Sequence, residues 1–135
     1  MSHKIVARFS DGRLIKGTSV DVTPGKPTCH IQTADAGTIP VALTELKALF
    51  IVKDLNGDSE SDPSQAVDPA DTRLRGTQRI DVRFHDGEQM LGLVNRYPPP
   101  RPFFFLLPAN PGCNNIRILV NRAAVVSMSS PDFTG

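Results

Sequence analysis

The chain has 135 residues, of which 39% are hydrophobic and 21% are charged, and its formal net charge is +1. This is the length of one average domain, so two separate cores of half that size would each be marginal. The balanced charge does not demand a nucleic-acid partner, and no apolar run reaches the roughly 18 residues of a membrane-spanning helix. We expect no membrane association, and we expect a cytoplasmic protein because Met1–Lys4 precede a strand pattern without a secretory apolar region.

The first predicted strands begin at once. Ile5, Ala7 and Phe9 alternate with polar residues, which is the period of a strand with one wet face. Asp11-Gly12 predicts a tight hairpin turn, because glycine accepts the positive φ angles that such turns require. Gly17 lies inside the second strand, where a missing side chain marks a sharp bend or a bulge.

A proline-bounded loop at residues 24–27 follows, and a third strand is predicted at 28–33. A turn at 35–37 leads to a last apolar stretch, residues 39–52, which Thr44-Glu45 interrupts. We interpret this stretch as a fourth strand, one tight turn and a fifth strand. Residues 1–52, here called the first copy, are therefore predicted to be a five-stranded unit.

Residues 53–78 form an acidic segment. They contain six acidic and three basic residues, with Pro63 and Pro69, and few apolar side chains that could anchor them. This composition predicts an extended surface linker with partial disorder.

The segment that follows repeats the first copy 75 positions later. RIDVRFHDGEQMLG from Arg79 matches KIVARFSDGRLIKG from Lys4, and the loop at 99–102 matches the loop at 24–27. The last strands need one or two residues of slippage to match, with Ile39 set against Ile116. Residues 79–130, here called the second copy, are thus predicted to form the same five strands, with 131–135 as a tail.

The pattern of two alternating apolar residues, Asp-Gly and a glycine five positions later is similar to the opening of Sm-like and Hfq-like small β-barrels. The closing strands of each copy look like the fourth and fifth strands of those barrels, and SH3-like barrels share the geometry. The string LKALFIVKDLNGD from Leu46 also resembles an uncharacterised bacterial family of duplicated barrels. The resemblance implies an all-β fold of two tandem five-stranded Sm/SH3-like barrels, packed as a pseudo-dimer.

The Sm family contacts RNA through an Asp-x-aromatic-Met-Asn string and a late Arg-Gly pair. Neither is present at the matching places, where this chain has Thr-Pro-Gly-Lys-Pro and Tyr-Pro-Pro-Pro-Arg-Pro. The resemblance therefore extends to the fold and not to the RNA-binding motifs.

Basic residues provide the candidate binding positions. All six bases of the second copy are arginines, which suit bidentate contact with carboxylate or phosphate. Arg96 and Arg101 flank a proline loop next to Tyr97, and Lys26 is the counterpart of Arg101 in the first copy. Arg79 and Arg83 have the spacing that PilZ domains use for a cyclic dinucleotide, although the accompanying Asp/Asn-x-Ser-x-x-Gly string is absent. The candidate partner-binding residues are Lys26, Arg79, Arg83, Arg96, Tyr97 and Arg101.

The remaining reactive residue types indicate no chemistry. Cys29 and Cys113 occupy unmatched positions, and we expect two unpaired buried thiols. The three histidines have neither the spacing of a zinc site nor a nucleophile to serve. We predict no catalytic residue, no metal and no cofactor. Phe103–Phe105 put rings on both faces of one strand, so one face needs cover from the other copy, the linker or another chain.

Two functions follow as hypotheses. The first is a non-catalytic interaction or regulatory module of the bacterial cytoplasm, which binds a protein partner through the proline loops and exposed edges. The alternative is RNA or cyclic-nucleotide binding by the arginine-bearing second copy. Self-association through free strand edges is a further expectation, since such edges invite pairing. The copies carry +2 and +3 and the linker −3. The linker is therefore expected to cover the basic faces, or to leave them to an anionic partner.

Overall fold

The computed structural model describes residues 2–55, 70–110 and 112–131. In chain order its strands are β1 (His3–Phe9), β2 (Leu14–Ser19), β3 (Thr28–Thr33), β4 (Gly37–Ala42), β5 (Leu46–Val52), β6 (Gln78–Phe84), β7 (Gln89–Val94), β8 (Phe103–Pro108), β9 (Asn115–Asn121) and β10 (Val125–Ser129). Three short 3-10 helices accompany them: η1 (Leu43–Glu45), η2 (Thr72–Arg75) and η3 (Arg122–Ala124).

All ten strands belong to one antiparallel sheet with the order β10-β6-β7-β8-β9-β5-β1-β2-β3-β4. The all-β prediction is confirmed. The sheet is not closed into a barrel, because β10 and β4 end the order as outer edges. Each copy contributes five neighbouring strands in the succession fifth, first, second, third, fourth. The two copies meet where β5 pairs with β9, and we call this pairing the joint.

Glycines lie at the predicted turns and at a close contact inside the second strand of each copy. Gly12 and Gly87 have φ angles of 94° and 92° in the turns that follow β1 and β6. In each copy the backbone of the third strand lies very close to the interior glycine of the second strand. A Cβ built on Gly17 would be 2.3 Å from the carbonyl oxygen of Gln32, and a Cβ built on Gly92 would be 2.3 Å from the carbonyl oxygen of Leu107. The interior glycines are therefore required by the close approach of the third strand to the second.

Each copy has its own hydrophobic core. The first is built from the inward residues of β1, β3, β4 and β5, such as Ile5 and Ile31, with Leu43 of η1. The second is built in the same way from β6, β7, β8 and β9, and Val82 and Leu106 are fully buried in it. The alternation seen in the sequence thus corresponds to one inward and one outward face on the first strand of each copy.

At the joint the copies exchange side chains. Ala48, Phe50 and Val52 of the first copy lie in the core of the second, while Leu119 of the second copy lies in the core of the first. Phe103 and Phe105 also pack against the first core, which confirms that the second face of that aromatic strand is covered by the other copy. Every residue of β5 is consequently buried.

The match between the ends of the copies differs from the prediction. Ile39 pairs with Ile31, and Ile118 pairs with Leu106, so the counterpart of Ile39 is Ile118 and not Ile116. The cause is the turn between the third and fourth strands, which is longer between β8 and β9 than between β3 and β4. The offset of 75 positions that aligns the two copies therefore does not hold beyond this turn.

Both described ends of the acidic segment are anchored. Leu55 packs against the second core, and its carbonyl oxygen accepts a hydrogen bond from Lys16 Nζ at 3.4 Å. At the other end, Arg73 of η2 donates to the carbonyl oxygens of Pro108 and Ala109, each at 3.0 Å. The middle of the predicted linker, residues 56–69, and the tail residues 132–135 lie outside the described residues. The extended form of the linker stays a prediction.

Candidate functional site

The proline loop of the second copy, residues 95–102, is held at several points. The backbone nitrogen of Tyr97 donates to Gln78 Oε1 at 2.7 Å, and its hydroxyl donates to the carbonyl oxygen of Met128 at 3.0 Å. Tyr97 is half-buried and packs against the second core. It therefore serves as an anchor of the loop, with its polar atoms engaged inside the chain.

The first residue of η3 fixes the rest of this loop. Arg122 Nη1 donates to the carbonyl oxygen of Pro99 at 3.2 Å. The backbone nitrogen of Arg122 donates to the carbonyl oxygen of Pro102 at 2.9 Å. Pro99 is buried, whereas Pro98, Pro100 and Pro102 are exposed. The loop thus presents rigid proline rings on a clamped backbone.

The proline loop of the first copy is held by a carboxylate. Asp21 accepts hydrogen bonds from the His30 backbone nitrogen at 2.9 Å, from His30 Nδ1 at 2.7 Å and from Ser19 Oγ at 2.8 Å. The donors on His30 lower the pKa of Asp21 from 3.8 to about 2. Asp21 therefore fastens the start of this loop to β3.

The two proline loops meet on one surface. A Cβ built on Gly25 of the first copy would lie 3.9 Å from Arg101 Nη1 of the second copy. Arg101 and Lys26, the residue after Gly25, are both exposed. We call this surface the loop face and define it as residues 24–27 and 98–102. It is lined by prolines, carries two positive charges and belongs to both copies.

The other predicted site residues lie on neighbouring elements. Arg96 is exposed at the start of the second loop, and Arg79 follows Gln78, the residue to which that loop is bonded. Arg83 lies farther along β6, where its Nη2 is 3.6 Å from Asp81 Oδ2. The structure therefore brings Arg101 next to Gly25, the residue before Lys26, uses Tyr97 as an anchor and pairs Arg83 with an acid of its own strand.

Several other arginines are occupied inside the chain. Arg8 forms an ion pair with Glu88 at 3.5 Å and lies 5.0 Å from the centroid of the Phe50 ring. Arg13 pairs with Asp11 at 2.7 Å. Arg117 lies 4.3 Å from the centroid of the Phe105 ring. Arg13 and Arg117 are therefore engaged at separate places, and Arg8 shares the Glu88 carboxylate with Lys47.

An ion cluster around a buried lysine of β5 was not predicted from the sequence. Lys47 is 7% exposed; its Nζ donates to Asp86 Oδ2 at 2.6 Å and to Glu88 Oε1, and lies 4.8 Å from the centroid of the Phe84 ring. The hydrogen bond from Lys47 is the main cause of a lowered pKa of Asp86. The one available signal was a single lysine in the apolar run LKALFIV. The cluster fastens β5 of the first copy to a turn of the second.

The thiols and histidines offer no assembled site. Cys29 and Cys113 are free and buried, as predicted. Burial, with a contribution from Asp21, raises the pKa of the Cys29 thiol to about 11. Within residues 2–55, 70–110 and 112–131, no three His, Cys, Asp or Glu side chains are grouped so that they could hold a metal ion. The described part of the chain also has no helix long and apolar enough to cross a membrane.

The first loop should lose stability in acid when Asp21 is protonated. Its pKa is lower in the folded chain than in the unfolded chain, so it stabilises the fold above about pH 4 and ceases to do so as the pH falls through about 2. Asp21→Asn should cost about 2 kcal/mol near neutral pH, the value of hydrogen bonds to a charged group. In urea unfolding at several pH values, the free energies of unfolding of wild type and Asp21→Asn should converge as the pH falls towards 2. The exposed Asp35→Asn is the control, and a difference that does not change with pH would contradict this role.

Comparison with known proteins gives one family. The model of a family of unknown function, DUF6982, matches residues 1–130. No curated protein and no solved structure gives a significant match.

Proposed function

We propose that this chain, which belongs to the DUF6982 family, is a non-catalytic binding module that recognises an acidic protein surface through the loop face. The observation that carries the proposal is the meeting of Arg101 of the second copy with Gly25 of the first. A surface built from both copies gives the duplication a functional reason, since one copy alone would present half of it.

The loop face has the physical properties of a pre-organised binding surface. Its backbone is held through Tyr97, Arg122 and Asp21, so little conformational freedom is lost when a partner binds. Exposed proline rings supply rigid apolar contact, and Arg101 can form a bidentate pair with a carboxylate. Lys26, the residue after Gly25, is exposed and adds a second positive charge to the loop face. An acidic segment with apolar neighbours complements this combination.

We also infer that each copy is an open version of an Sm/SH3-like small barrel, and that the two copies form a pseudo-dimer through the joint. The support is the common succession of five strands in each copy, the separate cores, and the interior glycine that lets the third strand approach the second. In this arrangement the proline loops follow the second strand and extend from the same place in each copy.

A protein partner is favoured over nucleic acid by the state of the arginines. Arg8, Arg13 and Arg83 each lie beside an acid, and Arg117 lies over a ring. Phosphate backbones are bound by rows of free positive charge, and such binding weakens steeply as salt rises. The loop face has two positive charges, Lys26 and Arg101, which suit a carboxylate-rich peptide and are few for a polynucleotide.

The test is quantitative affinity purification from the native host, with nuclease treatment and with protein and nucleic acid both identified. Arg101→Glu combined with Lys26→Glu should lower recovery of the specific partner by about tenfold, the effect of losing an interface residue worth somewhat more than 1 kcal/mol. Arg75→Glu is the matched control, because Arg75 is exposed on η2 and belongs to neither loop.

Recovery of the same proteins by the double variant and by wild type would refute the proposal. Loss of all binding on nuclease treatment, with RNA recovered instead, would establish the alternative of nucleic-acid binding. Circular dichroism of each variant must match wild type, since the three substitutions lie at exposed positions.

A further inference from the structure

The joint between the copies is formed once, although its two halves recur at the outer edges. The joint consists of β5 from the first copy and β9 from the second. The outer edges are β4, which is the counterpart of β9, and β10, which is the counterpart of β5. If these edges kept the residues of the joint, β10 of one chain would pair with β4 of the next, head to tail. We propose that both outer edges are closed to another copy of this chain.

The backbone of β4 lacks the central donor of the joint. The nitrogen of Leu43 donates to the carbonyl oxygen of Pro27, so by antiparallel alternation Pro40 directs its backbone nitrogen to the open side. Proline has no N–H to offer there. The counterpart of Pro40 is Leu119, which pairs with Leu49 at the centre of the joint. A proline on an edge strand is a common device against edge-to-edge pairing.

The side chains beside β4 are also changed. In the second copy Phe103 and Phe105 of β8 pack against the core of the first copy. Their counterparts in the first copy, 75 positions earlier, are Thr28 and His30. His30 is exposed and bonded to Asp21, so it is committed to its own loop. The β4 edge therefore has no rings to place in another chain.

The β10 edge has lost the matching apolar residues. Phe50 pairs with Val6, and its counterpart Ser129 pairs with Asp81. Ala48 is likewise replaced by Ser127. In the joint, Phe50 and Ala48 enter the core of the other copy, whereas serines have no such gain on burial.

The polar clamps of the joint are missing in the same way. Asn121 Nδ2 donates to the carbonyl oxygen of Leu46 at 2.8 Å across the joint, and its counterpart on β4 is Ala42. On β10, the carbonyl oxygen of Met128 accepts the Tyr97 hydroxyl. The counterpart of Met128 in the joint is Leu49, which pairs with Leu119 of the other copy. The Tyr97 hydroxyl thus occupies a backbone group that the joint uses for strand pairing.

The ion cluster cannot be repeated either. Lys47 of β5 is replaced by Val126 on β10, which is 60% exposed. Glu88, which accepts from Lys47 in the joint, is replaced by Arg13, which pairs with Asp11 in its own turn. The edges that could copy the joint therefore lack its central N–H, its apolar side chains and its ion cluster. The sequence alone led to the opposite expectation, that free edges associate.

A cysteine pair tests the edges directly. Thr38 and Ser130 are the counterparts of Arg117 and Ile51, which pair across the joint. In a Thr38→Cys, Ser130→Cys chain under mild oxidation we expect no intermolecular disulfide on non-reducing gels, and we expect sedimentation at the monomer mass of 14.7 kDa. A ladder of disulfide-linked chains would overturn the proposal, whatever the mass of the unlinked protein.

The same cysteine chain with the joint restored is the positive control. The added substitutions are His30→Phe, Pro40→Leu and Ala42→Asn on one edge, and Val126→Lys and Ser129→Phe on the other, with Arg13→Glu. We expect this chain to form the ladder and to sediment as larger species. A folded, restored chain that remains monomeric would show that these residues are not what closes the edges. If it does not fold, the unrestored cysteine chain alone decides, and Pro40→Leu by itself serves as the milder restored form.

Discussion

Gly92→Ala should destabilise the protein by about 3 kcal/mol or more, at the upper end of what overpacking a close contact costs. The added methyl carbon would lie 2.3 Å from the backbone oxygen of Leu107 and 2.6 Å from Leu106 Cδ2. The first of these neighbours is backbone and the second is fully buried, so neither can move without disturbing the pairing of β7 with β8. The midpoint of urea unfolding, followed by circular dichroism, measures the loss.

The control for this substitution is Gly76→Ala. Gly76 has a negative φ of −125°, and a Cβ there would meet no atom within 4 Å. We expect a change within about 0.5 kcal/mol, as for exposed positions without special contacts. Equal effects at Gly76 and Gly92 would contradict the close contact with β8 as the reason that position 92 requires glycine. Gly17→Ala should behave like Gly92→Ala, since the same contact recurs against Gln32.

Phe50→Ala should cost about 4 kcal/mol, within the range for removal of a buried phenylalanine side chain. Phe50 is 7% exposed and lies in the core of the second copy although it belongs to the first. Its loss should weaken both copies together, and thermal unfolding should remain a single transition at a lower temperature. Calorimetry measures both the shift and the number of transitions.

Val126→Ala is the matched control, because Val126 is on the corresponding strand of the second copy and is 60% exposed. Its effect should stay within about 0.5 kcal/mol. Two resolved transitions in Phe50→Ala, with one at the wild-type temperature, would contradict the exchange of side chains as the source of cooperativity. That outcome would indicate cores that fold independently.

Local features of the fold were predictable from the sequence because they depend on single residues. A glycine after an aspartate at a strand end requires the turn, and alternation assigns the inward face of β1 and β6. The partner of each strand was harder to predict. Nothing in the run LKALFIV states that alternate residues serve two different cores, and a fully buried strand shows no alternation.

The candidate site was predictable in its residues and not in its arrangement. The prolines, Arg101 and Lys26 were identified from composition and from the repeat. Their meeting through Gly25 depends on the pairing of β5 with β9, which brings the second copy alongside the first. The contrast of Thr28 and His30 with Phe103 and Phe105 was visible in the sequence. Only the structure shows what the contrast means: the phenylalanines of β8 contact the other copy, whereas the matching face of β3 is next to an outer edge and His30 is exposed.

The central position of β5 has a consequence for the rate at which the amide protons of the chain exchange with solvent. β5 has hydrogen-bonding neighbours on both sides and all of its residues are buried, whereas its counterpart β10 has one neighbouring strand and mostly exposed residues. Amides in strands of the first kind exchange through global unfolding, and those at an edge exchange through local opening. In deuterium exchange followed by mass spectrometry, peptides that contain Leu49 and Ile51 should be among the last to exchange, and peptides that contain β10 should exchange much sooner. The fifth strands of the two copies would thus differ widely in the free energy of the opening that exposes their amides to solvent.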